Sequence, residues 1–206
     1  MLFRSIKENK DVSEILKLSS TLLFIILLIG IIPIILYSKE IMQTLYNEHY
    51  MFSFVVLNKL LIGFFGIAAI YIFGTLLTAN GNLKYLNLIS FLGAGINIIL
   101  NFILIPFYKA NGAAFSSMLI QILMAVLQIV LVIRIFKIKI NYFSLVKLIS
   151  FSGFILAQSV LIKNLINNFK IGFIIMIISS LVFVFIFRII KLKMIKDLFF
   201  LSSEKG

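Results

Sequence analysis

The sequence predicts an all-α integral membrane protein with about six transmembrane helices. Of its 206 residues, 62% are hydrophobic and only 13% are charged, and the mean hydropathy is +1.18. A soluble globular chain has about 45–50% apolar and about 25% charged residues. A water-soluble fold of this size could not bury so much apolar surface. The apolar residues form continuous runs, whereas a membrane β-barrel would show short alternating segments, so helices are predicted.

Six runs have the ~20 residues that a helix needs to cross a bilayer. They are predicted over 16–37, 60–78, 85–106, 112–133, 144–162 and 171–187. The chain therefore divides into an N-terminal cytoplasmic segment (1–18), a six-helix transmembrane region (16–190) and a basic cytoplasmic tail (188–206).

The distribution of basic residues predicts the orientation of these spans. With six spans, fourteen of the 19 Lys and Arg residues fall on the side of the two termini and five on the other side. Cytoplasmic loops carry the excess of Lys and Arg, so both termini are expected in the cytoplasm. The basic residues that give the net charge of +12 lie between the apolar runs, and this rule explains them. No nucleic-acid partner is therefore expected.

The inventory of reactive residues argues against an enzyme. The chain has no cysteine, and its seven acidic residues all lie outside the predicted spans. The single histidine, His49, falls in a short loop. No group of residues has the spacing of a metal site, and no acid–base pair is available in the membrane. We therefore expect no catalytic residue, no metal and no cofactor.

Two asparagines make the third span the most informative. Gly93, Asn97 and Asn101 recur at i, i+4 and i+8 and therefore share one helix face. An asparagine that faces lipid would leave its donors unpaired, so both side chains should face protein or water. They either join helices by hydrogen bonds or form a polar strip along a substrate pathway.

Lys59 and Gln121 complete the set of candidate polar residues. Lys59 lies at the outer start of the second span. Its long side chain either extends to the headgroups or faces a water-filled cavity and attracts an anionic substrate. Gln121 and Gln128 are seven residues apart in the fourth span, nearly on one face.

A tight antiparallel hairpin is predicted between the third and fourth spans. Pro106 is expected to end the third span, because proline cannot continue the backbone hydrogen bonding of a helix. Gly112, Ala113 and Ala114 open the fourth span, and small residues let two helices approach closely.

The run from Thr78 to Ser117 carries a resemblance to a known family. It reads TANGNLKYLNLISFLGAGINIILNFILIPFYKANGAAFSS and combines a G-x-x-K turn, an N-x-x-L-N helix, an I-P turn and a G-A-A helix start. The matching residues are Gly81, Lys84, Asn97, Leu100, Asn101, Ile105, Pro106, Tyr108, Gly112, Ala113 and Ala114. This order resembles the bacterial polysaccharide flippases, the Wzx-like branch of the multidrug/oligosaccharidyl-lipid/polysaccharide exporter superfamily. Lys109 stands where that family often has glycine.

The resemblance implies a partial MATE-like bundle. Members of the family have two pseudo-symmetric six-helix bundles around a central cavity, and this chain would correspond to about helices nine to fourteen. The implied function is translocation of undecaprenyl-linked oligosaccharide or polysaccharide precursors across the bacterial inner membrane. The implied partners are a lipid-linked glycan, membrane lipids, and either a missing N-terminal half or a partner chain.

Two alternatives remain open. The chain could belong to a drug or small-cation exporter of the same superfamily, although the absence of an acidic residue from the spans disfavours this. It could instead be a non-transporting membrane subunit or an inactive truncated product.

Overall fold

A computed structural model of the chain describes residues 12–46, 48, 50–138 and 142–187, without the side chains of 12–15 and 143–145. Most of the predicted N-terminal segment (1–18), all of the predicted tail (188–206) and His49 lie outside the described residues. Within the described part, the fold consists of helices joined by short connections and contains no strand.

The helices are α1 (Val12–Leu36), α2 (Ser38–Leu45), α3 (Tyr50–Ala79), α4 (Leu83–Phe136), α5 (Tyr142–Leu165) and α6 (Phe169–Ile186). All except α2 are long and apolar enough to cross a membrane. Helix α4 has non-helical backbone angles at Lys109, which divide it into a first arm (83–108) and a second arm (110–136). Each arm exceeds the length that one crossing needs. The prediction of an all-α membrane protein of about six spanning helices is therefore confirmed.

Two predicted boundaries near the second span are wrong. Helix α3 begins at Tyr50, ten positions before the predicted start, and α2 occupies part of the predicted loop between the first two spans. The polar residues Asn58 and Lys59 favour a start of the span at residue 60. A polar side chain does not interrupt the backbone hydrogen bonding of a helix, however, so α3 continues through both residues. The 30 residues of α3 span about 45 Å, which matches a bilayer with its headgroups.

Pro106 does not end the third span, contrary to the prediction. The first arm continues past it, and the chain reverses at Lys109, where φ is 49° and ψ is −132°. A proline removes only one backbone donor. The predicted hairpin itself is confirmed, since Gly93 lies against Met124, Asn101 against Ser116 and Leu104 against Gly112, all symmetric about the turn.

Contacts divide the chain into two compact units. The first consists of 1–20 and 37–140. In it, α3 runs parallel to the second arm, because Lys59, Gly66 and Gly74 meet progressively later residues of that arm. A buried cluster of Leu16, Leu76, Leu77 and Val132 closes the other end of the unit.

Of the described residues, the second unit contains 21–36 and 142–187. Its helices α5 and α6 form an antiparallel pair, with Phe154 packed edge-on against Phe183 at 4.4 Å between ring centroids. Asn168 begins α6, and its side-chain oxygen accepts hydrogen bonds from the backbone N–H groups of Lys170 and Ile171. This is the N-cap arrangement that asparagine favours.

Candidate functional site

Lys59 joins α3 to the second arm. Its ammonium group donates a hydrogen bond to Oδ1 of Asn111 and lies 5.5 Å from the centroid of the Phe115 ring. The ring face is the negative part of an aromatic quadrupole and attracts a cation. The sequence predicts either headgroups or an anionic substrate near the Lys59 ammonium, and it does not identify Asn111 as its partner. Asn111 is one of several polar residues near the turn, and nothing in its spacing distinguishes it.

Asn97 and Asn101 share a half-buried face of the first arm, as their spacing predicts. Asn101 Nδ2 donates to Asn97 Oδ1 at 3.3 Å. The hydroxyl of Ser116 on the second arm donates to Asn101 Oδ1 and also lies 3.0 Å from the carbonyl oxygen of Ala113. Asn101 therefore joins the two arms, which is the structural one of the two roles expected for it. Asn97 reaches the second arm only through Asn101 in these contacts.

Gln121 lies where α3 and the second arm come closest. A methyl group added to Gly63 would lie 2.3 Å from Oε1 of Gln121, and one added to Gly66 would lie 2.6 Å from its backbone oxygen. Two helical turns further along the second arm, Oε1 of the buried Gln128 faces Gly74 in the same way. A methyl group added to Gly74 would lie 3.1 Å from that oxygen. Amide oxygens directed at glycine Cα atoms are common where membrane helices touch.

Gly112, Ala113 and Pro106, the predicted hairpin residues, lie within a few positions of the turn at Lys109. At Gly112 an added methyl group would lie 2.5 Å from the carbonyl oxygen of Leu104, so only glycine fits without a shift. Ala113, the next residue, is half-buried, and its carbonyl oxygen lies near the Ser116 hydroxyl. Pro106 is exposed in the last turn of the first arm.

The structure thus places the four candidate polar residues at two helix contacts. Lys59 and Gln121 lie between α3 and the second arm, whereas Asn97 and Asn101 lie between the two arms. None of them lines the groove of about 320 Å³ that the first unit carries between α2 and α3. That groove is lined by Met42, Tyr46, Phe52, Ser53, Val56, Leu57, Leu60 and Ala110.

Acidic residues contribute nothing to these contacts. Among the described residues there is no group of three His, Cys, Asp or Glu side chains that could hold a metal ion. What the arrangement offers a ligand is therefore cationic or amide chemistry, from Lys59 and the amide side chains.

Comparison of the chain with protein-family models, with curated proteins and with solved structures gives no match.

Proposed function

We propose that this chain is part of a flippase that moves undecaprenyl-linked oligosaccharide precursors across the bacterial inner membrane, with both termini in the cytoplasm. The proposal rests on the resemblance of residues 78–117 to the polysaccharide flippases, not on a homologue. Its membrane setting is supported by the long apolar helices of the chain.

One observation carries the proposal furthest. The positions at which the family pattern has its turns are positions where this backbone needs special residues. Gly81 has a φ of 76°, Lys109 has a φ of 49° at the site where the family often has glycine, and Gly112 lies in close contact with Leu104. Glycine is favoured wherever φ is positive or another backbone approaches closely. The turns of the motif therefore coincide with positions where the backbone makes structural demands, which supports the proposal.

In this proposal the two bundles of a complete transporter rock against each other and open the substrate site to one side at a time. Lys59, Asn97, Asn101 and Gln121 are the residues that we propose to adjoin the pathway. A cation near the outer end of α3 would attract the phosphate groups of the lipid-linked glycan. The amides keep α3 and the hairpin together, so that this part of the first unit moves as one body.

Deletion of the gene in its own bacterium tests the function. We expect surface polysaccharide to fall and undecaprenyl-linked oligosaccharide to accumulate in the inner membrane. Unchanged polymer and unchanged precursor would contradict the proposal. Increased sensitivity to drugs with normal polymer would instead favour the exporter alternative, and no change in either would favour a non-transporting subunit.

Complementation then tests the residues. Parent chain, the double variant Asn97→Ala/Asn101→Ala and the control Asn87→Ala should reach the membrane in equal amounts. Asn87 lies on the same arm but is exposed. We expect the parent and the control to restore polymer and the double variant to restore less. Full restoration by the double variant would remove both asparagines from the proposed pathway.

A further inference from the structure

The groove between α2 and α3 has no assigned occupant. Its walls are mostly apolar, with Ser53 and the hydroxyl of Tyr46 as the polar exceptions. Phe52 is 74% exposed beside it. A volume of about 320 Å³ falls at the small end of the ~300–1,000 Å³ range of ligand pockets, enough for one chain segment of an amphiphile.

With α3 centred on the bilayer, its length gives the depth of the groove. A helix of 30 residues covers about 45 Å, close to the ~40–45 Å of a bilayer with its headgroups. The first turns of α3, with Phe52 and Ser53, therefore lie at headgroup level. Val56, Leu57 and Leu60 lie about 9–15 Å along the axis from Tyr50, the first residue of α3, at the upper part of the acyl chains. The groove thus crosses the boundary between headgroups and hydrocarbon.

Three lysines lie close in sequence to residues that line this groove. Lys39 comes three positions before Met42, Lys59 one position before Leu60 and Lys109 one position before Ala110. A helical side chain leans towards the N-terminus of its helix, so Lys59 extends from the hydrocarbon edge towards the headgroups. Its bond to Asn111 uses one of the three ammonium donors.

Two carboxylates, Glu40 and Glu48, lie in the same part of the chain. Counted along the chain next to the groove-lining residues, these three lysines and two carboxylates leave a net charge of +1, which complements a negative headgroup.

We propose that this groove binds one anionic phospholipid, with its phosphate at the Lys59 ammonium and the upper part of an acyl chain against Val56, Leu57 and Leu60. The apolar walls, the depth and the positive excess each match one part of such a lipid. The site shares Lys59 with the proposed glycan pathway, but its test uses phospholipid vesicles and does not depend on glycan transport.

The chain contains no tryptophan, so a single introduced tryptophan reports on one place. We would replace Phe52 by Trp in the groove and, in a second chain, Phe102 by Trp. Phe102 is 79% exposed on the first arm and is not among the residues that line the groove. Each chain is placed in phosphatidylcholine vesicles that contain a minor fraction of brominated phosphatidylglycerol or of brominated phosphatidylcholine. Bromine quenches only a tryptophan that it touches.

We expect brominated phosphatidylglycerol to be enriched about fivefold over brominated phosphatidylcholine at position 52, the factor that one lysine near an anionic headgroup provides. Position 102 should show no preference. Equal quenching by the two lipids at position 52, or the same preference at both positions, would overturn the proposal.

Variants made in the Phe52→Trp chain test whether Lys59 is the residue that holds the lipid phosphate. Lys59→Gln should abolish the preference, Lys59→Arg should keep it, and Lys84→Gln, at the far end of the unit, should leave it unchanged. Helix content by circular dichroism confirms that each variant folds. A Lys59→Gln chain that folds and keeps the full preference would show that Lys59 does not hold the phosphate. If Lys59→Gln fails to fold, the comparison of positions 52 and 102 still decides whether the groove selects an anionic lipid.

Discussion

The side-chain oxygen of Gln121 lies directly against Gly63, so that a methyl group on Gly63 would be 2.3 Å from it. This contact is one of a series along α3 and the second arm, with Gly66 against the Gln121 backbone and Gly74 against Gln128. Close approach of two helices is what stabilises them in lipid, where apolar side chains gain nothing by leaving the bilayer. The glycines of α3 therefore determine how tightly it packs on the hairpin.

Replacing these glycines by alanine should destabilise the protein in a defined order. Gly66→Ala would place a methyl group 2.6 Å from a backbone oxygen, which cannot rotate away. Gly63→Ala meets the movable end of the Gln121 side chain at 2.3 Å and the Met118 Cα atom only at 3.1 Å. We expect losses of about 1–3 kcal/mol for Gly66→Ala and less for Gly63→Ala. Thermal unfolding in detergent, followed by circular dichroism, measures both.

Gly95 provides the matched control for these two variants. Nothing lies within 4 Å of a methyl group added there. Gly95→Ala should therefore be neutral or stabilising by up to about 1 kcal/mol, because alanine is the better helix former. If Gly95→Ala destabilised as much as Gly66→Ala, close contact would not be the reason for the loss.

Lys109 makes the hairpin turn at a cost that glycine would not incur. Its φ of 49° and ψ of −132° lie in a region that side chains with a Cβ rarely adopt. Such strain costs about 1–3 kcal/mol. Lys109→Gly should therefore raise the unfolding midpoint, while Lys84→Gly, in the first turn of the first arm, should lower it. A lower midpoint for Lys109→Gly would show that the lysine side chain makes a contact that outweighs the strain.

Hydropathy predicted the spans well because bilayer thickness and helix rise together fix their length. The same signal misplaces the start of α3, since it treats Lys59 as a boundary although its ammonium group bonds to Asn111 inside the protein. The helical period placed Asn97 and Asn101 on one face. It could not identify Ser116, because the pairing of two arms depends on where the chain turns, and the turn lies at Lys109 and not at Pro106.

Gln158 and Ser180 form a buried polar contact between α5 and α6 in the second unit. Gln158 Nε2 donates to Ser180 Oγ at 2.8 Å, and both residues are buried. Ser180→Ala should cost about 1–2 kcal/mol, because the amide donor would lose its partner inside the unit. The thermal midpoint measures this loss.

Ser179 serves as the control for that prediction. It is half-buried, and its hydroxyl bonds only to the carbonyl oxygen of Met176 in its own helix. Ser179→Ala should change stability by less than about 0.5 kcal/mol. The double variant Gln158→Leu/Ser180→Ala should recover part of the loss, since no donor is then left unpaired. If the stability loss of the double variant equals the sum of the losses of Ser180→Ala and Gln158→Leu, the two side chains do not share a hydrogen bond.

Lys163 of α5 holds the end of α1. Its ammonium group donates to the backbone carbonyl oxygen of Leu36, the last residue of that helix. The final carbonyl groups of a helix have no partner within it and carry a partial negative charge, so a cation stabilises them. We expect Lys163→Met, which keeps the apolar length of the side chain, to lower the free energy of unfolding by about 1–2 kcal/mol.

Lys170→Met is the control, because Lys170 lies exposed in the first turn of α6, where a positive charge is unfavourable. Hydrogen exchange should show faster opening of the last turn of α1 in Lys163→Met alone. Equal exchange in the two variants would mean that the carbonyl of Leu36 does not need the lysine.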